Sequence, residues 1–259
     1  MNRTGLVIAL AIAAVVGVVF GVYPRLDLAI SAPFYDPQAG YFKVNVQPWS
    51  NNSRDAARYL IALIVAPAFL AVVGKLLLPR RRMLVRGRAA LFLILTMALG
   101  PGLLTNAILK DNWARSRPID VKELGGTDRF MPWWNPFGDC PANCSFVAGE
   151  ASGAFWTLAP AALAPPQWRV AAYAGALTFG IAVGALRIAA GGHFFTDVVF
   201  AGVLMFLLAW LFHGLLFRWA ATRPTDDAVE RPLVRAGETL RGIFTGVWPR
   251  RSRKTGELP

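Results

Sequence analysis

A recurring run of about 20 apolar residues, the length a helix needs to cross roughly 30 Å of hydrocarbon, constrains this chain more than any other feature. Six such runs stand out: Gly5 to Tyr23, about Tyr59 to Leu78, about Ala89 to Leu109, about Phe146 to Leu163, about Val170 to Leu186 and about Phe194 to Phe217. None alternates polar and apolar residues as a barrel strand does, and backbone in lipid must pair its own polar groups. The expected fold is therefore all-α, a polytopic membrane protein built as a six-transmembrane-helix bundle. Composition agrees, with 55% apolar residues, 16% charged and a mean hydropathy of +0.44. The first run follows a short basic start and lacks a small-residue cleavage site, so it reads as an uncleaved anchor.

Basic residues outnumber acidic ones, 27 to 15, and their placement bears on orientation. Lys and Arg gather on the cytoplasmic side of short loops. Arg80, Arg81, Arg82, Arg86 and Arg88 follow the second run, Arg169 follows the fourth, and many more follow Phe217. Both termini are then expected to be cytoplasmic, with residues 24–58, 110–145 and 187–193 outside. Topology accounts for most of the positive charge without a nucleic-acid partner, and no nucleic-acid motif stands in the sequence.

No internal repeat divides the membrane core, so residues 1–217 read as one domain and 218–259 as a basic cytoplasmic tail. In that tail Leu233, Ala236, Leu240, Ile243, Phe244, Val247 and Trp248 recur at helical spacing among arginines. The pattern fits an amphipathic helix on an anionic surface, with a partly disordered basic tail as the alternative. Between the first two runs, Leu26, Leu28 and Ile30 suggest a segment lying at the membrane surface. Cys140 and Cys144 fall in an outside segment, where a disulfide is chemically allowed. Their spacing alone leaves bridged and free thiols open.

Three pieces carry chemistry. In KDNWARSRP, Lys110 precedes Arg117 by about two helical turns, and Pro118 ends the helix. Arg115 and Arg117 stand on the side where the positive-inside rule disfavours them, so they call for an anion. At the start of the fourth run, Ala148, Gly149 and Glu150 open a helix whose backbone N–H groups could approach a phosphate; small residues there could equally serve close helix packing. In RIAAGGHFFTD, Asp197 lies four residues after His193 and is expected to accept its Nδ1 proton, leaving the other ring nitrogen as a nucleophile. Gly191 and Gly192 permit a turn that brings Arg187 to the same place. The alternative for this motif is an interfacial histidine bonded to a carboxylate for structure. All three pieces fall on one membrane face, which makes a shared site the expectation. His213 has no carboxylate nearby in sequence and reads as structural.

These elements resemble the type 2 phosphatidic acid phosphatase family, whose members carry Lys-x6-Arg-Pro, Pro-Ser-Gly-His and Ser-Arg-x5-His-x3-Asp in that order. The first element matches as Lys110, Arg117 and Pro118, the third as Arg187, His193 and Asp197. The resemblance implies His193 as nucleophile, Asp197 as its orienting partner, and Lys110, Arg117 and Arg187 as a phosphate clamp, with no metal or other cofactor. Leu186 replaces the serine of the third element, and the second reads Val147, Ala148, Gly149, Glu150. Glu150 thus stands where the family places the histidine that protonates the leaving oxygen. Three roles are open to it: an acid with a raised pKa, a group that positions water or substrate for a leaving group needing little help, or the mark of an impaired enzyme.

The resemblance, with its variant second element, implies removal of phosphate from a lipid A-type or related glycolipid headgroup through a phosphohistidine, at an outward-facing site expected on the periplasmic side of a bacterial inner membrane. Undecaprenyl diphosphate or phosphatidylglycerol phosphate as substrate, phosphoryl transfer to another lipid, and a relative that binds lipid without turnover are the alternatives. The expected partners are a phosphorylated membrane lipid and the bilayer.

Overall fold

The structure, a computed structural model, describes residues 1–245. Two compact units form, Met1–Val65 with Phe92–Arg223, and Ala66–Leu91 with the described part of Pro224–Pro259. In chain order the helices are α1 (Arg3–Val22), α2 (Arg25–Ser31), α3 (Pro48–Leu77), α4 (Gly87–Asn112), α5 (Gly149–Phe155), α6 (Leu158–Ala162), α7 (Arg169–Ala189), α8 (Phe195–Arg218) and α9 (Asp226–Thr245). A two-stranded hairpin, Tyr35–Asp36 against Tyr41–Phe42, lies between α2 and α3.

Among the described residues five helices, α1, α3, α4, α7 and α8, are long and apolar enough to cross a membrane. The fourth apolar run behaves differently. It breaks at Trp156 and Thr157 into the short helices α5 and α6, most of whose residues are buried. The cause is local. Pro160 has no N–H for the Trp156 carbonyl, and the backbone tightens instead, with the Thr157 N–H donating to the Ala154 carbonyl at 3.1 Å and the Ala159 N–H to the Trp156 carbonyl at 2.8 Å, while the Thr157 hydroxyl adds a bond to Ala154 at 2.6 Å.

Around this interior piece the first unit assembles. α5 packs on α4, α7 and α8, while α6 lies on α7 and α8, and α1 leans on α8. Glycine sets the closeness. A Cβ on Gly180 of α7 would fall 2.2 Å from the Phe155 ring, and one on Gly184 would fall 2.2 Å from Val198 of α8. Small residues at such contacts let helices approach where lipid offers no hydrophobic drive. In α4, Pro101 interrupts the usual ladder, the helix widens to π geometry over Ala98–Leu109, and Asn106 donates to the Pro101 carbonyl at 2.6 Å.

The long connection from Trp113 to Ala148 covers the helix ends. Its Trp133 and Phe146 pack on Phe200 of α8 and on each other, and Trp113 packs on Phe146, with ring centroids 4.4 to 6.3 Å apart. Phe42 from the hairpin is buried with Val121, Leu124 and Phe194. It lies against Gly191, whose φ of +69° and lack of a side chain are both required there.

In the second unit α9 is tied by charge to the ends of α3 and α4. Glu230 pairs with Lys75 at 3.1 Å, and Asp226 takes the Arg88 N–H at 3.0 Å. Leu233, Ala236, Leu240 and Ile243 lie on α9, whereas Val247 and Trp248 lie outside the described residues.

Filling the α5–α7 contact tests this packing. Gly180→Ala should lower stability by about 1–3 kcal/mol, the usual cost of overpacking, read as a depressed unfolding temperature in detergent.

Candidate active site

His193 sits in the turn between α7 and α8 and is buried. Its Nδ1 lies 2.7 Å from the Ser145 carbonyl oxygen, which accepts the Nδ1 proton and leaves Nε2 unprotonated, with no protein partner among the described residues. The orienting bond is therefore not the one expected from spacing. The nearer Asp197 oxygen is 3.8 Å from Nδ1, because that carboxylate is already committed elsewhere. It accepts from the Ser145 hydroxyl, from the Phe194 N–H at 2.8 Å and from Arg115. Asp197 fixes the Ser145 hydroxyl and reaches the imidazole through its charge. Burial pushes His193 down to about 4, against the pull of Asp197, with Arg187 and Lys110 adding to the fall. At neutral pH the ring is therefore neutral, as a nucleophile requires.

Arg115 is the anchor beneath. It is wholly buried, pairs with Asp27 of α2 at 2.7 Å and with Asp197, and donates to Thr196 and the Met131 carbonyl. Its guanidinium stacks on Phe194 at 4.4 Å. Thr196 in turn donates to Asp27 from both hydroxyl and N–H. The anion that Arg115 calls for is thus internal.

The other cations gather around His193 and Glu150. Arg187 lies over Gly192, where a Cβ would meet its guanidinium at 2.1 Å, and its buried Nε has no hydrogen-bond partner. Lys110 donates to the Asn143 side chain at 3.1 Å, and Arg117 donates to the Asn143 carbonyl at 2.6 Å. Asn143 adopts a left-handed backbone, φ 52°, inside the loop closed by a Cys140–Cys144 disulfide with a Cα separation of 5.8 Å. A single residue thereby sets both cations.

At the start of α5 two expectations change. The Ala148 N–H is already donated to the Asp197 carbonyl at 3.2 Å, so it is not free for phosphate. Gly149 instead makes room for Lys110, whose Nζ would lie 3.0 Å from a Cβ there. Glu150 faces Arg54, which grips both its oxygens at 2.7 to 3.1 Å, with Arg58 at 3.3 Å and Arg187 at 3.7 Å. A carboxylate held by guanidinium groups stays ionised and has no proton to give.

Arg54, Arg58, Asn143, Ser145 and Asp27 were not singled out from the sequence. Arg54 and Arg58 carried a usable signal, since they stand at the start of the second run on the same disfavoured side as Arg115 and Arg117. Asp27 within the otherwise apolar LDLAI stretch was the other.

Long apolar helices and a neutral histidine among cations together define a membrane phosphatase. The model of the PAP2 superfamily matches residues 89–221. A lipid A 4'-phosphatase of Francisella tularensis subsp. novicida (strain U112) is 30% identical over 219 residues, 84% of this chain and 98% of that protein. A lipid A 4'-phosphatase of Rhizobium leguminosarum is 38% identical over 104 residues, 40% of this chain and 45% of that one. The crystal structure of a transmembrane PAP2-type phosphatidylglycerolphosphate phosphatase from Bacillus subtilis aligns with a TM-score of 0.48 at 22% identity, over 82% of this chain and 94% of that one. The chain belongs to the PAP2 superfamily.

The depressed His193 predicts the pH profile. As pH falls through about 4 the imidazole of the free enzyme gains a proton and kcat/KM drops, whereas an exposed histidine would give that limb near ~6.5. Initial rates of phosphate release across the acid range measure the difference.

Proposed function

We propose that the protein removes a phosphate from a lipid A-type headgroup at the periplasmic face of a bacterial inner membrane, through a phosphohistidine on His193. The observation that carries this reading is the fixed imidazole. Nδ1 keeps its proton and donates it to the Ser145 carbonyl, so the Nε2 lone pair is the one left to attack. Lys110, Arg117 and Arg187 hold the phosphoryl oxygens, with the open Nε of Arg187 as a ready donor. Nε2 forms the P–N bond as the P–O bond to the headgroup breaks, and the leaving oxygen takes a proton from water. A second water then attacks phosphorus, giving its proton to the hydroxide left by the first, the P–N bond breaks with its electron pair returning to Nε2, and inorganic phosphate departs. Most of the acceleration comes from cations fixed before the charge arrives.

Glu150 serves in this mechanism as counter-ion to Arg54, Arg58 and Arg187, and not as the acid. It keeps those side chains extended toward the phosphate position in the absence of substrate. The lipid A assignment draws on the Francisella relative, whose length the chain spans almost completely. The arginines after α3 and at the start of α7 support a cytoplasmic placement for that end, with the His193 end outward. On this reading α5 and α6 complete a sixth, broken crossing, tolerated because it is buried in protein.

His193→Ala should abolish phosphate release while the variant still unfolds cooperatively in detergent; retained activity would remove the mechanism. Glu150→Gln separates the two roles of the carboxylate. Loss of a general acid costs about 10²–10⁴-fold in kcat, whereas loss of a counter-ion should leave kcat within about tenfold and act mainly on KM. Release compared over lipid A, undecaprenyl diphosphate and phosphatidylglycerol phosphate checks the substrate, with lipid A expected to be fastest.

A further inference from the structure

At the end of the helices away from His193, α1 and α7 separate over α8 and leave a groove of about 740 Å³. Its walls are apolar, among them Ile8 and Ile12 of α1, Leu177 and Ile181 of α7, and Phe206 of α8. It runs from Asn2 to Ile12, a helical rise of about 15 Å, which is half the ~30 Å hydrocarbon thickness. That is the depth of one leaflet.

The mouth is polar; Arg169 donates Nε and Nη2 to the Ala164 carbonyl at 3.3 and 3.2 Å, and other donors there are unmet. Arg169 lines it, with Tyr173 one turn further in on the same face of α7. The Tyr173 hydroxyl is buried and has no hydrogen-bond partner among the described residues. Arg218 stands at the same end, donating Nη1 to the Met1 carbonyl at 3.0 Å and stacking on Trp210 and Trp219 at 4.3 and 5.3 Å. Its Nε and Nη2 are likewise buried without a hydrogen-bond partner. Both arginine charges reach Met1. Among the described residues neither has a carboxylate partner, whereas Arg54, Arg88 and Arg115 each have one. Buried donors of this kind are costly unless something satisfies them, and a cationic pair asks for an anion.

We propose that this groove is a second lipid site, distinct from the phosphatase centre, holding one acyl chain of an anionic phospholipid whose phosphate rests on Arg169 and Arg218. The chain fills the space between α1 and α7. The phosphate oxygens accept from the open guanidinium N–H groups, and the Tyr173 hydroxyl meets the ester region below. A zwitterionic phospholipid would fit the same walls but carries its own positive charge against the two arginines.

Native mass spectrometry of the purified full chain, titrated with phosphatidylglycerol or phosphatidylcholine in detergent, tests this. The wild type should retain phosphatidylglycerol about tenfold more strongly than phosphatidylcholine, about 1.4 kcal/mol. Arg169→Gln with Arg218→Gln should erase that preference, and Arg169→Lys with Arg218→Lys should keep it, which separates loss of charge from loss of fold. Leu177→Trp, which fills the groove and leaves both arginines, should reduce retention of both lipids. Equal retention of the two lipids by the wild type, an unchanged preference in the glutamine variant, or undiminished binding in Leu177→Trp would each overturn the proposal.

Discussion

The site depends on Arg115 held between Asp27 and Asp197. Three charges removed from water cost several kcal/mol each before their attraction is counted, so the triad is weak evidence of stability. Its value lies in placement. The side chain ties α2 to the first turn of α8, and the Arg115 backbone carbonyl accepts the Ser145 N–H at 2.8 Å. The Ser145 carbonyl then accepts the hydrogen bond from His193 Nδ1. One residue fixes both the carboxylate and the peptide that present the nucleophile.

A second constraint is the surplus of positive charge facing His193. On the proposed mechanism Lys110, Arg117 and Arg187 meet a bound phosphate; without one, they and the neighbouring Arg54 and Arg58 repel each other in a partly dry setting where charges act strongly. Glu150 relieves that repulsion from the centre of the group. Its pairing with Arg54 is two-pronged, with Arg58 and Arg187 at longer range. An arriving phosphate therefore competes with a resident carboxylate for the same guanidinium groups. On the proposed mechanism the glutamate that stands where the resembling family has a proton donor has a different task, that of counter-ion.

Long apolar runs made the membrane class and five of the helices legible, because a 20-residue period of hydrophobicity has few other physical solutions. The fourth run misled on form. Hydropathy averages over Trp156, Thr157 and Pro160 and does not register that a segment buried among other helices is free to break. At the site, Lys110, Arg117, Arg187 and His193 were readable from spacing, since their geometry is local to one helix end or one turn. The Ser145 carbonyl was not, because a backbone oxygen has no sequence signature and reaches His193 only through the path of a long loop. The i+4 rule placed Asp197 on the correct face and in the correct neighbourhood, and competition from Arg115 decided which hydrogen bond it makes.

The helix α7 joins these levels. Arg169 and Arg187 are its basic residues at either end, five turns apart, about 27 Å of rise, close to the ~30 Å of bilayer hydrocarbon. Such a helix puts a guanidinium at the headgroup level of each leaflet. Gly180 and Gly184 seat it tightly on Phe155 and Val198 in the half nearer Arg187. The half nearer Arg169 has no such contact with α1 and stands over the groove. The same helix is thus clamped beside Arg187, which the proposed mechanism places on phosphate, and open over the groove proposed for a lipid chain. Exchanging the glycines for larger residues would disturb Arg187 first, since its position follows from how closely the last two turns of α7 lie on their neighbours.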